Sequence, residues 1–227
     1  TLTRPARQPD APRLQTPTPT SYTGLPLQWM IALDTIPSPP SAGVSPWRNT
    51  PDHYGRLARW LHWGTAMLLL GSYASIYYRE WFTQRGTDAD TAAIQLHFSI
   101  GVTILVAMVL RLLWRVTQRQ PDDVPAPRLQ LLAAHAMHWA LYAALILMPI
   151  TGYLGIRSTV NYFGLFDIPS LAQTPLGASL GDLRDAAHDL HETAGEWVIW
   201  VLVVLHAAAG LYHHVMLGDR VLVRMLP

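Results

Sequence analysis

The chain has 227 residues, of which 50% are hydrophobic and 14% charged, with a formal net charge of +1. Soluble domains carry about 25% charged residues, so the deficit points to lipid; the net charge says nothing about nucleic acid, and no basic run interleaved with aromatics, as a nucleic-acid face would carry, is present. Cysteine is absent, which removes disulfides, iron–sulfur clusters, thiolate zinc sites and covalently attached c-type haem.

Residues 1–53 read as a separate Pro-rich N-terminal extension. Eleven of the eighteen prolines fall before residue 52, and the longest apolar patch, Leu25 to Leu33, is too short to span a bilayer. Proline at this density blocks both helix and sheet pairing, and no basic-then-apolar secretory layout is present. Such a segment either lies against a protein partner in a membrane complex or folds back over its own domain.

From residue 54 onward the pattern changes to four apolar stretches. Leu57 to Tyr78 is a first spanning helix, with Trp60 and Trp63 near one interface and Tyr77, Tyr78 and Trp81 near the other. Ala92 to Trp114 is a second, closed by Arg111, Arg115 and Arg119. Leu131 to Ile156 is a third, with Pro149 and Gly152 predicting a kink near its end. Residues 157–183 read as a polar loop, and Gly195 to Val215, within the stretch Asp185 to Arg220, is the fourth. The expected fold is an all-α membrane protein, an antiparallel four-helix transmembrane bundle. Arginine is concentrated at the entry of the first helix, between helices two and three, and at the C-terminus, which places both termini in the cytoplasm.

Five of the ten histidines lie between residues 185 and 220. His191 and His206 bracket the apolar centre of the fourth helix, and an intramembrane histidine is expensive without a partner. By depth, His62 matches His206 towards one face, and His97 matches His191 towards the other. Fifteen positions separate His191 from His206, roughly 22 Å of helix rise, enough for two stacked cofactors. Two facing imidazoles without carboxylate or thiolate suit the axial positions of haem iron, whereas zinc asks for three or four tetrahedral ligands. Gly64, Gly71, Gly101, Gly195 and Gly210 would leave room for a flat macrocycle. His135, His138, His213 and His214 are candidates for a quinone head group or proton relay, or simply interfacial polar residues, with His213 the most functional of them. His188 and His53 receive no role.

The segments RLARWLHW, QLHFSIGVTILVAMVLRLLWR, HAMHWALYAALILMPITGYLG, LHETAGEW, LHAAAGLYHH and DRVLVRMLP resemble those of the bacterial cytochrome b561 family over residues 54–227. The resemblance implies a bacterial inner-membrane protein with two haem b groups. His62 and His206 would hold the cytoplasmic-side haem, His97 and His191 the outer one. It also implies exchange of electrons with a quinone such as ubiquinone near His213. Some members are superoxide oxidases, passing an electron from superoxide to ubiquinone, and Arg79, Arg85, Arg157 and Arg184 would then steer the anion.

Two departures stand out. The family's pattern places the two helix-four histidines one residue closer together. A π-bulge near Gly195, a tilted outer haem, or His188 as the outer ligand would absorb the difference, and the HET context favours His191. The second departure is the extension itself, which favours an accessory cytochrome of a larger respiratory or photosynthetic complex over a stand-alone superoxide:ubiquinone oxidoreductase. A structural subunit with vestigial haem sites is the third reading.

Overall fold

The computed structural model describes residues 45–226, so the expectations for residues 1–44 of the extension lie outside the described part. Four long helices form the body: α1 Arg56–Phe82, α2 Asp88–Thr117, α3 Arg128–Gly155 and α4 Gly181–Leu217. They alternate in direction, so one end of the bundle gathers the start of α1, the α2–α3 link and the end of α4. This is the terminal end. The opposite, hairpin end holds the α1–α2 turn and the α3–α4 connection.

Length and composition single out α2, α3 and α4 as able to cross a membrane. At 27 residues α1 is also long enough, but it is less apolar because it carries the bundle's polar side chains. Its buried face reads Ala58, Thr65, Ser72 and Ser75. Small residues of this kind let two helices approach closely where lipid supplies no hydrophobic drive. The opposite behaviour is seen on α4, where Val201, Val204, Leu205 and Leu211 are all exposed. An apolar exterior this extensive fits acyl chains as solvent.

The core is an apolar plug made by Ile100, Ile104 and Met108 of α2, Tyr142 and Leu145 of α3, and Ile199 of α4. The three α2 residues repeat every fourth position, and the same helical face continues to His97 on one side and Arg111 on the other. The plug therefore separates two polar levels.

Local chemistry fixes the helix ends. Thr87 caps α2 by accepting the Asp90 N–H, with Asp88 and Asp90 in the first turn, where the helix dipole favours negative charge. Asp90 also receives Arg79 Nε at 2.7 Å and the Gly86 N–H at 3.1 Å, locking the α1–α2 turn. Gly218, at φ 63°, ends α4 in the left-handed conformation that glycine adopts without strain. Beyond it the chain folds across the terminal end: Arg59 and Trp63 donate to the Leu226 and Met225 carbonyls, and Arg224 donates to the Asp122 carbonyl.

Three differences from the sequence reading concern α4 and its approach. The helix begins at Gly181, so its polar first turns belong to the rod. Residues 157–183 hold an antiparallel hairpin, β1 Val160–Tyr162 and β2 Phe166–Ile168, followed by short helical turns. Finally, α4 contains two π-helical turns: one at Ala194–Val198, where the sequence reading places a π-bulge, and one at His213–Leu217, which that reading does not contain. The first is at the position where an extra residue between His191 and His206 asks for one. In α3 the helix runs unbroken through Pro149 to Gly155.

Candidate functional site

At the hairpin end, His97 of α2 faces His191 of α4 with ring centroids 6.0 Å apart. Both rings are held from behind. His97 Nδ1 lies 3.1 Å from the Ser72 carbonyl oxygen and from Ser72 Oγ, and His191 Nδ1 lies 2.8 Å from the Met148 carbonyl. A carbonyl can only accept, so each Nδ1 donates its hydrogen and each Nε2 keeps a lone pair. A backbone acceptor behind Nδ1 is the usual way a metal-ligating histidine is fixed in tautomer and orientation.

Close approach of α3 makes this possible. A Cβ on Gly152 would stand 2.8 Å from His191 Cε1 and 2.9 Å from its Nδ1, and one on Gly155 would stand 3.0 Å from His188 Cβ. Any side chain at 152 would push the imidazole or the helix away. His188 turns out of the bundle, half exposed and 3.4 Å from Glu192.

The π-turn sits one turn beyond His191. Ile199 N–H reaches back five residues to the Ala194 carbonyl, while the Gly195 carbonyl accepts the Tyr73 hydroxyl at 2.5 Å. Trp200 Nε1 donates to the Tyr77 hydroxyl at 2.9 Å. These bonds tie α4 to α1 where the ladder is irregular, and the irregularity absorbs one residue of the fifteen-position interval.

At the terminal end, His62 of α1 and His206 of α4 have ring centroids 6.1 Å apart. Here the surroundings are cationic. Arg111 donates to His62 Nδ1 at 2.8 Å and lies 5.4 Å from the Tyr142 ring centre. Arg115 lies 5.7 Å from the Trp139 and Tyr142 ring centres. Among the described residues no carboxylate pairs with Arg111 or Arg115. His138 of α3 also approaches His206, at 5.6 Å; from the sequence it read only as a quinone, relay or interfacial residue.

Do these residues fit haem? A metal–imidazole nitrogen bond of about 2 Å on each side, with about 1 Å more to each ring centre, separates two axial rings by about 6 Å. Both pairs meet that separation. Among the described residues no group of three or more His, Asp or Glu side chains could hold a metal ion, so tetrahedral zinc is not the alternative. A Cβ on Gly64, Gly101 or Gly210 would meet nothing within 4 Å, and Gly101 and Gly210 lie one helical turn from His97 and His206; one on Gly71 would meet Ile100 at 3.6 Å and one on Gly195 Met148 at 3.3 Å, so those two glycines serve helix packing. The donor sets fit a bis-imidazole haem at both levels. At the terminal end Nε2 coordination asks Arg111 to release His62 Nδ1 for a different acceptor.

Beyond the two pairs, His213 Nδ1 lies 2.5 Å from Asp219 Oδ2, and its Nε2 lies 3.1 Å from the Gln130 amide nitrogen. Gln130 donates there, so His213 is an Nδ1–H tautomer held as in an acid–base dyad. Partial burial pushes the Asp219 carboxyl up, but hydrogen bonds from His213 and from the Val221 N–H outweigh it and hold it below its ordinary value. His135 lies 3.5 Å from Asp123, and His214 is exposed. Of the arginines at the hairpin end, Arg79 pairs with Asp90 and Arg157 with Asp185, each at 2.7 Å. Arg184 is buried and donates to the Leu154 and Ile156 carbonyls. Arg85 alone of the four is in no ion pair or side-chain hydrogen bond among the described residues.

A family model described as prokaryotic cytochrome b561 matches residues 53–227. Cytochrome b561 homolog 2 of Escherichia coli (strain K12) is 34% identical over 189 residues, covering 78% of this chain and 93% of that protein. Cytochrome b561 homolog 1 of the same organism is 27% identical over 177 residues, covering 78% and 98%. A protein named probable superoxide oxidase CybB, from Yersinia pestis, is 34% identical over 178 residues, covering 77% and 96%.

Proposed function

The chain belongs to the prokaryotic cytochrome b561 family of haem b membrane electron-transfer proteins, and from that premise we propose that it holds two haem b groups, one on each side of the apolar plug. The supporting observation is the pair of imidazole sets at the two ends of α4, each at the separation that a shared iron requires. When bound, each haem supplies a one-electron centre. The protein's part is to fix the ligands: Ser72 and Met148 orient His97 and His191, while Arg111 is left to hold a haem carboxylate at the terminal end.

Electrons are exchanged with a quinone at the terminal end, beside His213. A quinone takes up a proton with each electron, and the Asp219–His213 dyad would relay it: Nε2 first accepts a proton from water at the terminal end, with Asp219 balancing the charge, and then donates it to the quinone oxygen. The sixteen basic residues are all arginine, and the orientation their placement supports puts this end and both termini on the cytoplasmic side of the bacterial inner membrane. Residues 1–52 lie outside the family match. Residues 1–53 are the segment we assign to a protein partner, making the chain an accessory cytochrome of a larger respiratory or photosynthetic complex.

A second reading, superoxide:ubiquinone oxidoreductase, is favoured by the relative named as a probable superoxide oxidase. It draws less support from charge, because two of the four cations at the hairpin end are neutralised by aspartates and a third turns inward. Superoxide generated with xanthine oxidase distinguishes the two: rapid quinone reduction by the purified protein alone supports the second reading, and its absence supports the first. The di-haem proposal is tested by the pyridine haemochrome ratio of the purified chain, expected at two haems per chain; one or none overturns it.

A further inference from the structure

The first half of α4 differs from the second in what it exposes. From Trp197 to Leu217 the helix holds no Asp, Glu, Lys or Arg, a run of about 30 Å that matches the hydrocarbon thickness of a bilayer. Before Trp197 it carries Asp182, Asp189, Glu192 and Glu196, all exposed. A carboxylate open to hydrocarbon is among the costliest placements for a side chain, so this face stands in water or among headgroups. His191 lies between Asp189 and Glu192. The hairpin-end pair is therefore within reach of a molecule that arrives from the aqueous side.

The same turns also leave apolar side chains uncovered. Leu183, Leu190 and Trp197 are 57%, 56% and 64% exposed, each one position after Asp182, Asp189 and Glu196. Seven positions are close to two helical turns, so an acidic strip and an apolar strip run side by side. Trp197 suits the membrane interface. Leu190 and Leu183 lie about 10 and 21 Å beyond it along the helix, outside the hydrocarbon, and lipid does not cover them. Glu192 approaches His188 and Asp185 pairs with Arg157. Asp182, Asp189 and Glu196 enter no ion pair or side-chain hydrogen bond among the described residues.

Charge decides the occupant. Residues 79–97 and 157–196, the segments at the hairpin end, hold nine carboxylates against four arginines. That field attracts a cation and repels both superoxide and a second copy of the same face. An inorganic cation would leave the leucines bare. A protein with a small apolar centre and a basic rim covers both strips, and electron-transfer encounters use interfaces of this modest kind.

We propose that the exposed face of α4 from Asp182 to Trp197 docks a cationic soluble electron-carrier protein, with Leu183 and Leu190 at the centre of the contact and Asp182, Asp189 and Glu196 on its rim. The proposal rests on the haem assignment at His97 and His191. A single electron passes between the carrier's metal centre and the haem held there, one oxidised as the other is reduced.

Haem-loaded full chain in neutral-lipid nanodiscs is mixed with ferric cytochrome c, a cationic carrier, and with succinylated cytochrome c, which has the same haem but reversed charge. Co-sedimentation with the discs reads binding without relying on the chain's own haem, and stopped-flow absorbance of the prereduced discs reads electron transfer. The native carrier is expected to bind and react about tenfold faster than the succinylated one, with the rate falling as ionic strength rises from about 20 to 200 mM. D182N/D189N/E196Q is expected to lose about tenfold in binding and rate with its haem content unchanged, and L183S/L190S to bind more weakly with its salt dependence intact. E80Q/D88N, on the α1–α2 side of the same end, is expected to lose far less. D182N/D189N, which leaves the π-turn untouched, serves if the triple variant fails to load haem. Equal binding of the two carriers, a rate that rises with salt, an equal loss in E80Q/D88N, or binding without electron transfer in a chain that holds both haems overturns the proposal. Charge-selective binding by a chain without the hairpin-end haem supports the docking face and overturns the haem assignment instead.

Discussion

The two ends of the bundle hold the same pair of residue types in different electrostatic surroundings. At the hairpin end, His97 and His191 are each backed by a main-chain carbonyl, a neutral support that fixes tautomer and angle. At the terminal end, His62 is backed by the Arg111 guanidinium, with Arg115 and His138 nearby. A fixed cation beside a redox centre disfavours the more positive, oxidised state. The terminal-end haem is therefore expected at the higher potential, a difference that would draw electrons from the hairpin end towards it. Identical ligands thus acquire a direction from their second partners.

Removing a ligand separates the two ends most sharply. His206→Leu is expected to lower the haem ratio from two to one and leave the spectrum of the hairpin-end centre; His97→Leu does the converse, as read by optical spectra at low temperature. Next in size is Gly152→Val. With a Cβ only 2.8 Å from the His191 ring, it is expected to abolish the bis-imidazole low-spin EPR signal of the hairpin-end haem alone, with Gly152→Ala retaining part of it. Arg111→Gln removes the cation rather than the ligand. Both haems stay, and the terminal-end midpoint falls by about 60 mV, a tenfold change in a one-electron equilibrium.

The smallest effect concerns Asp219. Its carboxyl is held below the ordinary value, so its stabilising contribution is complete above the usual carboxylate pKa, about 4, and is lost as pH falls through the lowered one. Asp219→Asn is expected to flatten that acid-side loss in thermal unfolding followed by haem absorbance. An acid limb unchanged in the variant contradicts the assignment.

Much of this was legible beforehand for reasons that can be named. Apolar runs of about 20 residues announce spans, and histidines inside them announce depth, so the four helices and the two facing pairs follow from spacing. Even the π-turn at Ala194–Val198 has a sequence signature, one residue too many between His191 and His206. What spacing does not carry is contact across the bundle. Arg111 reaches His62 from 49 positions away, and Met148 reaches His191 from 43. The approach of His138 to His206 was hidden similarly. Strands of three residues are too short for alternation to register, so the hairpin read as a polar loop. The polar row Gln95, Ser99 and Thr103 on an apolar helix, to which the hairpin bonds, was the available signal. By contrast, the His213–Asp219 pair is local: the helix stops at Gly218 and turns the carboxylate back onto the ring.

With main-chain carbonyls behind the hairpin-end ligands and the Arg111 and Arg115 guanidinium groups beside the terminal-end ones, the two proposed haems are expected to differ in potential. Potentiometric titration of the purified protein, with absorbance read at each potential and repeated on the His97→Leu variant, tests it most directly. Two resolved one-electron transitions are expected, of which the variant keeps the higher. A single transition, or a variant that keeps the lower one, contradicts it.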